Sequence, residues 1–373
     1  MIKRVAKFTV NIESHYSNIL PTPINISNIW NFGSCLGLFL AIQVFTGLFL
    51  ARHYRAHTLL AFDSIVSLSR ETSYGEFLRT VHLNGASLYF LFLYLHLSRG
   101  LYYGSYAYSR TWFSGFLIMI LSIIVAFLGY VLPWGQISYW GATVITNLIS
   151  ALPVVGSQVV RWIWGGFRLS NATLSRFFML HFCIPIMLLA LVFIHLYFLH
   201  NNGRQNPTNI SSKYNLLSFH HYFTLKDIYY FFVVFFLFER LIFLSPYFLG
   251  DPENFSMADM MSTPEHIVPE WYFLFAYAIL RSIPRKGLGV VRILLAVTII
   301  LAPILSMISK RSRSTRLGKG YYPITQAVLW SFFSCVILLT WLGGQIVEAP
   351  FVLISQIIFI IYLVNWIFLS LNQ

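Results

Sequence analysis

The chain has 373 residues, 57% of them hydrophobic and only 10% charged, with a formal charge of +13 and a mean hydropathy of +0.69. That much apolar surface excludes an ordinary soluble globular protein and implies an all-α polytopic membrane protein. The positive charge has no soluble basic domain to carry it, so no nucleic-acid partner is expected; a positive-inside bias and carboxylates on a bound group account for it better.

Taken in chain order, the start MIKRVAKFTVNIES is basic and has no apolar core with a cleavage site behind it. It reads as a short surface segment rather than a signal peptide. Runs of about 20 apolar residues then predict eight transmembrane helices. Span A covers about Phe32 to Ala51, B about Leu78 to Leu101, and C about Trp112 to Leu132. Span D covers about Leu174 to Leu199, with a kink expected at Pro185. Spans E to H lie near Ile228 to Leu244, Val290 to Ile308, Ile324 to Gly343, and Phe351 to Leu371. Cys35, Cys183 and Cys335 all fall inside apolar spans, as small core residues do.

The links differ in character. The D–E link (Asn201 to Lys226) and the F–G link, with its basic run KRSRSTRLGK, share a face with the N-terminus by parity. The positive-inside rule assigns that face to the energised-negative side, although Lys and Arg are about as numerous opposite and the asymmetry lies mainly in acidic residues. The opposite face carries a C–D link rich in Trp, whose amphipathic pieces suit the interface plane. It also carries an E–F link with five carboxylates and the run PEHIVPEWY. Links of this length are usually functional. The expected division is a four-helix bundle over residues 1–200 and a second four-helix region, with the PEWY loop, over 201–373.

Span B carries His82 and His96, fourteen residues apart, and span D carries His181 and His195, also fourteen apart. Fourteen helical steps rise about 21 Å and turn a residue only about 40° from its starting face. Each helix therefore presents two histidines at two depths on one side, where an imidazole in hydrocarbon needs a partner. Two such helices can sandwich two flat, axially ligated groups, and haem fits best. With imidazole on both sides an iron has no open position, which suits electron transfer. No C-x-x-C-H occurs, so such haems would be b-type and non-covalent. Glycines repeat the same spacing at Gly33 and Gly47 in A and at Gly115 and Gly129 in C. They offer slots where a bulky plane can press against a backbone, so A to D form a bundle around two haems. Arg79 and Arg99 lie three residues outside His82 and His96, placed to meet haem carboxylates. By parity His82 pairs with His181 and His96 with His195.

The segments GASLYFLFLYLHLSRGLYYGSY, GYVLPWGQISYWGATVITNL and PEWYFLFAYAILRSIP resemble the cytochrome b family of ubiquinol–cytochrome c oxidoreductases, respiratory complex III. The likeness runs from about Trp30 into span H, and the unsplit chain with a spacing of fourteen in D resembles the mitochondrial and bacterial branch. The resemblance implies a catalytic subunit that oxidises ubiquinol at one face, passes one electron to a Rieske iron–sulfur subunit, and sends the other through two b-type haems to reduce quinone at the opposite face. It implies a low-potential haem on His82 and His181 and a high-potential haem on His96 and His195. The oxidation pocket would be lined by Tyr130, Gly141, Pro269, Glu270 and Tyr277, and the reduction pocket by His200, Asp227 and Ser34. Partners implied are the Rieske subunit, a cytochrome c-type haem subunit and other complex III subunits, in a homodimeric complex. The short loops and termini favour a mitochondrial inner membrane over a bacterial one.

Some residues depart from the family's pattern. Arg204 stands where a small polar residue is usual, His221 and Phe223 alter FHPYYT to FHHYFT, and Glu265 and Val268 replace proline and lysine. From the residues alone, His200 sits at the wet end of D, where a histidine can exchange protons near neutral pH, and Asp227 also suits a helix cap. Two rivals stay open. A bis-histidine dehydrogenase subunit explains A to D but leaves PEWY and four helices idle; a transporter would use the histidines as proton relays.

Overall fold

A computed structural model describes residues 20–210, 212, 214–304 and 322–371. The basic N-terminal segment, the KRSRSTRLGK run and the end of span F lie outside the described residues. Twelve α-helices are present among the described residues. In order they are α1 (Phe32–His53), α2 (Ala61–Glu71), α3 (Gly75–Tyr103), α4 (Ser109–Val131), α5 (Gln136–Asn147) and α6 (Gly156–Trp164). They continue with α7 (Asn171–Asn202), α8 (Tyr222–Leu244), α9 (Leu274–Arg281), α10 (Lys286–Thr298), α11 (Pro323–Gly343) and α12 (Phe351–Leu371).

Among the described residues, six helical segments are long and apolar enough to cross a membrane: Asn28–His53, Ser109–Val131, Asn171–Asn202, Lys286–Ile304, Pro323–Gly343 and Phe351–Ser370. Spans B and E fall on α3 and α8, which have 29 and 23 residues and are long enough by the rise per residue. Helix α3 is less apolar than those six and α8 is more heavily charged, for a plain reason. Helix α3 carries Glu76, Arg79, His82, Asn84, His96 and Arg99, while α8 carries Lys226, Asp227, Glu239 and Arg240. The side chains that make α3 chemically interesting also dilute its hydropathy.

Helix α7 begins with a capping box in which Ser170 and Thr173 satisfy each other's backbone amides, and it runs on through Pro185 as one element. Helix α1 packs along α3, and α4 along α7, so the two histidine-bearing helices each have a glycine-bearing neighbour. A second set, α9, α11 and α12, packs together around Leu329, Phe332, Leu339, Phe359 and Trp366. The PEWY segment is pinned to α3: the Tyr272 ring stacks on Phe90 at 4.2 Å, and the Tyr94 hydroxyl donates to the Tyr272 carbonyl at 2.5 Å. A short antiparallel ribbon pairs β1 (Pro21–Pro23) with β2 (Leu216–Ser218), tying the entry of α1 to that of α8. Large apolar side chains stay exposed along α8, with Phe232 71% and Phe236 57% accessible. A lipid surround makes that arrangement tenable.

Candidate functional site

The bundle brings the four histidines together in two pairs. The rings of His82 and His181 lie 6.2 Å apart between centroids, and those of His96 and His195 6.4 Å apart. Two metal–nitrogen bonds of about 2.0–2.1 Å, with about 1.1 Å more from each nitrogen to its ring centre, would put such centroids about 6.3 Å apart. The separation suits one metal between each pair.

Hydrogen bonds decide which nitrogen faces inward. His181 Nδ1 lies 2.9 Å from the Val125 carbonyl, which can only accept, so the proton sits on Nδ1 and Nε2 is bare. Thr46 Oγ1 spends its own hydrogen on the Ile42 carbonyl and so accepts from His82 Nδ1 at 2.8 Å. Ser114 Oγ does the same, donating to the Thr111 carbonyl and accepting from His195 Nδ1 at 2.9 Å. Three imidazoles are thereby held by a group behind them with a bare lone pair in front, the arrangement a metal-ligating histidine uses. His96 differs, because its Nδ1 faces the Arg99 guanidinium at 3.1 Å.

Each glycine of the repeat lies against one histidine. A Cβ at Gly33 or Gly47 would come within 3.3 Å of Cε1 of His96 or His82, and at Gly115 within 3.1 Å of His195 Cε1. At Gly129 it would overlap the His181 ring outright. The glycines therefore admit the imidazole edges to the facing helices. Gly129→Ala is expected to displace His181 and lower the bound haem of the purified protein markedly, whereas Gly33→Ala leaves it nearly unchanged. Haem per chain by pyridine haemochrome checks this; overpacking of this kind costs about 1–3 kcal/mol.

Gly129 is followed by Tyr130, and Tyr130 hydrogen-bonds Glu270. A cleft of roughly 440 Å³, counted to its open mouth, is lined by Tyr130, Gly141, Pro269, Glu270 and Tyr277 together with apolar neighbours such as Phe127 and Phe273. All five residues implied for the oxidation pocket thus share one cleft, beside the His82–His181 pair. Glu270 is 7% exposed, and its Oε1 has no partner among the described residues. Burial above all, and then the negative charge of Asp251, push its carboxyl up to about 8, while the Tyr130 hydrogen bond works the other way.

Gly33 is followed by Ser34, whose hydroxyl lies 2.8 Å from Asp227 Oδ1. Asn31 Nδ2 donates to the same oxygen at 2.5 Å, and Arg204 and Lys226 lie within Coulombic reach. This second polar cluster adjoins the His96–His195 pair. His200 stands in the last turn of α7, four residues before Arg204. At the other end of α3, Arg79 donates to Ser69 Oγ at 3.2 Å and lies over the rings of Tyr247 and Phe255.

The sequence reading missed Thr46, Ser114, the Val125 carbonyl, Asn31 and Asp251. Two of them carried a signal, since a hydroxyl residue immediately precedes a slot glycine at Thr46–Gly47 and at Ser114–Gly115.

Residues 17–203 match the family described as Cytochrome b/b6/petB, and residues 257–363 match Cytochrome b(C-terminal)/b6/petD. Among solved structures, a chain of a hyperthermophilic respiratory Complex III is similar at a TM-score of 0.90 and 29% identity, covering 99% of this chain and 98% of that one.

Proposed function

The chain belongs to the cytochrome b/b6 family, and on that premise we propose that it is the membrane-embedded redox subunit of a quinol–cytochrome c oxidoreductase. In this reading α3 and α8 join the six apolar segments as the second and fifth of eight spans. Residues 1–200 form the haem bundle, and 201–373 form the region that supplies the PEWY loop.

The observation that carries the proposal is the ladder of two histidine pairs, each joined through a glycine's sequence neighbour to its own polar site. Gly129–Tyr130 leads from His181 to Glu270, and Gly33–Ser34 leads from His96 to Asp227. When bound, two bis-imidazole haems supply a one-electron relay between the two ends of the bundle. His82 with His181 would hold one, and His96 with His195 the other.

The chain's own residues do the proton work. The apolar walls of the Glu270 cleft, Phe127, Ile137 and Phe273 among them, exclude water and seat a quinol ring. Glu270, held by Tyr130, accepts a proton from a quinol hydroxyl. Asp227, oriented by Asn31 and Ser34, and His200 at the end of α7 would deliver protons to a quinone at the other face. The partners of the reaction would be a Rieske iron–sulfur subunit and a cytochrome c-type haem subunit in a dimeric complex. The proposed location is the mitochondrial inner membrane, with a bacterial plasma membrane as the alternative.

Reduced-minus-oxidised optical spectra of the purified protein test the proposal. Two spectrally distinct b-type haems per chain are expected; a protein without haem would sink the redox reading and leave the transporter.

A further inference from the structure

Helix α7 ends at Asn202, and the residues that follow are laced to the far end of α3. Trp30 Nε1 donates to the Gln205 carbonyl at 3.0 Å, Gln205 Nε2 donates to the Tyr103 carbonyl at 2.7 Å, and Ser105 Oγ donates to Gln205 Oε1 at 2.7 Å. This lacing holds Arg204 close to Arg99. Two aromatic faces orient the guanidiniums: Arg204 lies 4.5 Å over Phe219, and Arg99 lies 5.5 Å over Trp30.

Two like charges held side by side in a dry place repel, and each is deprived of water. The two are close enough that the Arg99 guanidinium feels the charge of Arg204. The Nε atoms of both are buried and have no hydrogen-bond partner among the described residues. Asp227 is within Coulombic reach of Arg204, yet its Oδ1 already accepts from Asn31 and Ser34, and Lys226 adds a further cation nearby. Positive charge is in excess. What the cluster lacks is an anion with enough acceptor oxygens for two forks.

The direction of the missing anion can be read from Arg99, whose terminal nitrogen lies 3.1 Å from His96 Nδ1. Arg99 thus borders the slot between His96 and His195, and Arg204 stands within Coulombic reach of Arg99. A planar group seated there and bearing carboxylates at its rim would satisfy both, because guanidinium and carboxylate match as two-pronged partners. Arg99 is the partner already expected for the carboxylates of the haem held by His96 and His195, and we propose that Arg204 joins it as a second, electrostatic anchor that raises that haem's affinity for an electron. The inference rests on the redox reading above.

A fixed cation stabilises the reduced form of a neighbouring redox group, and the effect is strongest where water is scarce. Redox titration of the intact complex in its membrane, followed optically at both haem bands, tests the point. The band of the His96–His195 haem is the one retained in His181→Leu. In Arg204→Gln this band is expected to titrate at a lower potential than in the native protein while the other band stays put. Arg204→Lys, which keeps the charge, recovers most of the shift, and Arg204→Ser gives a second neutral variant should the first accumulate poorly. Unmoved potentials in a neutral variant with full haem content would overturn the second anchor. A native protein lacking haem would instead overturn the functional reading on which that anchor depends.

Discussion

Replacing His181 with leucine is expected to remove one haem and keep the other, so that haem per chain falls from two to one. His181 donates from Nδ1 to the Val125 carbonyl and therefore faces His82, 6.2 Å away between ring centres, with a bare Nε2. Leucine is similar in bulk and offers no lone pair, so a haem held by His82 and His181 would lose one of its two ligands. The second pair lies fourteen residues along both helices, about 21 Å by the helical rise, and its supports, Ser114 and Arg99, are untouched. Stability also falls, because His82 and Thr46 then border an unfilled slot in a dry bundle. Pyridine haemochrome and reduced-minus-oxidised spectra of the purified variant measure the outcome. Two intact haem signals would show that His181 is not a ligand and that the pairing is wrong.

The histidine ladder was legible because helical periodicity converts a spacing into a face. A repeat of fourteen on B and D, echoed by glycines on A and C, placed the pairs before any contact was known. The same arithmetic could not show that each glycine admits a ring edge, since that depends on how close α1 comes to α3 and α4 to α7. The spacing put Arg99 one turn from His96 but could not show that its guanidinium lies against that ring. Asn31 meets Asp227 only because the chain returns across the membrane between them, and Asp251 comes within Coulombic reach of Glu270 only through the folding of one irregular link. Such contacts leave no periodic trace. Spans B and E were legible from their apolar runs, although polar residues dilute the hydropathy of α3 and four charges mark α8.

Glu270→Gln is expected to slow quinol oxidation by at least about tenfold at alkaline pH, a conservative share of what a positioned base contributes. The carboxyl stands at the start of the short turn Trp271–Phe273 but makes no capping bond to it. Its structural duty is carried by the backbone carbonyl, which accepts from Phe273 N at 2.8 Å. The side chain is instead buried in the cleft against Tyr130, with one oxygen unpartnered. Burial and Asp251 place its pKa at about 8. At pH 7 roughly a tenth of such carboxyls are ionised and ready to accept a proton. The rate should therefore rise with pH until the group is ionised, above about 8, and level off. Glutamine cannot ionise, so that rise disappears, and the loss relative to the native protein is larger at pH 9 than at pH 6. Asp251→Asn supplies the complementary check. Removing a negative charge that disfavours ionisation lowers the Glu270 pKa, and the rising limb moves to more acidic pH. Quinol–cytochrome c activity across pH 6 to 9 in the intact complex, with haem content held equal, reads both variants. A glutamine variant with the native rate and an unmoved limb would leave Glu270 as scaffolding, and the proton acceptor would have to be sought elsewhere in the cleft.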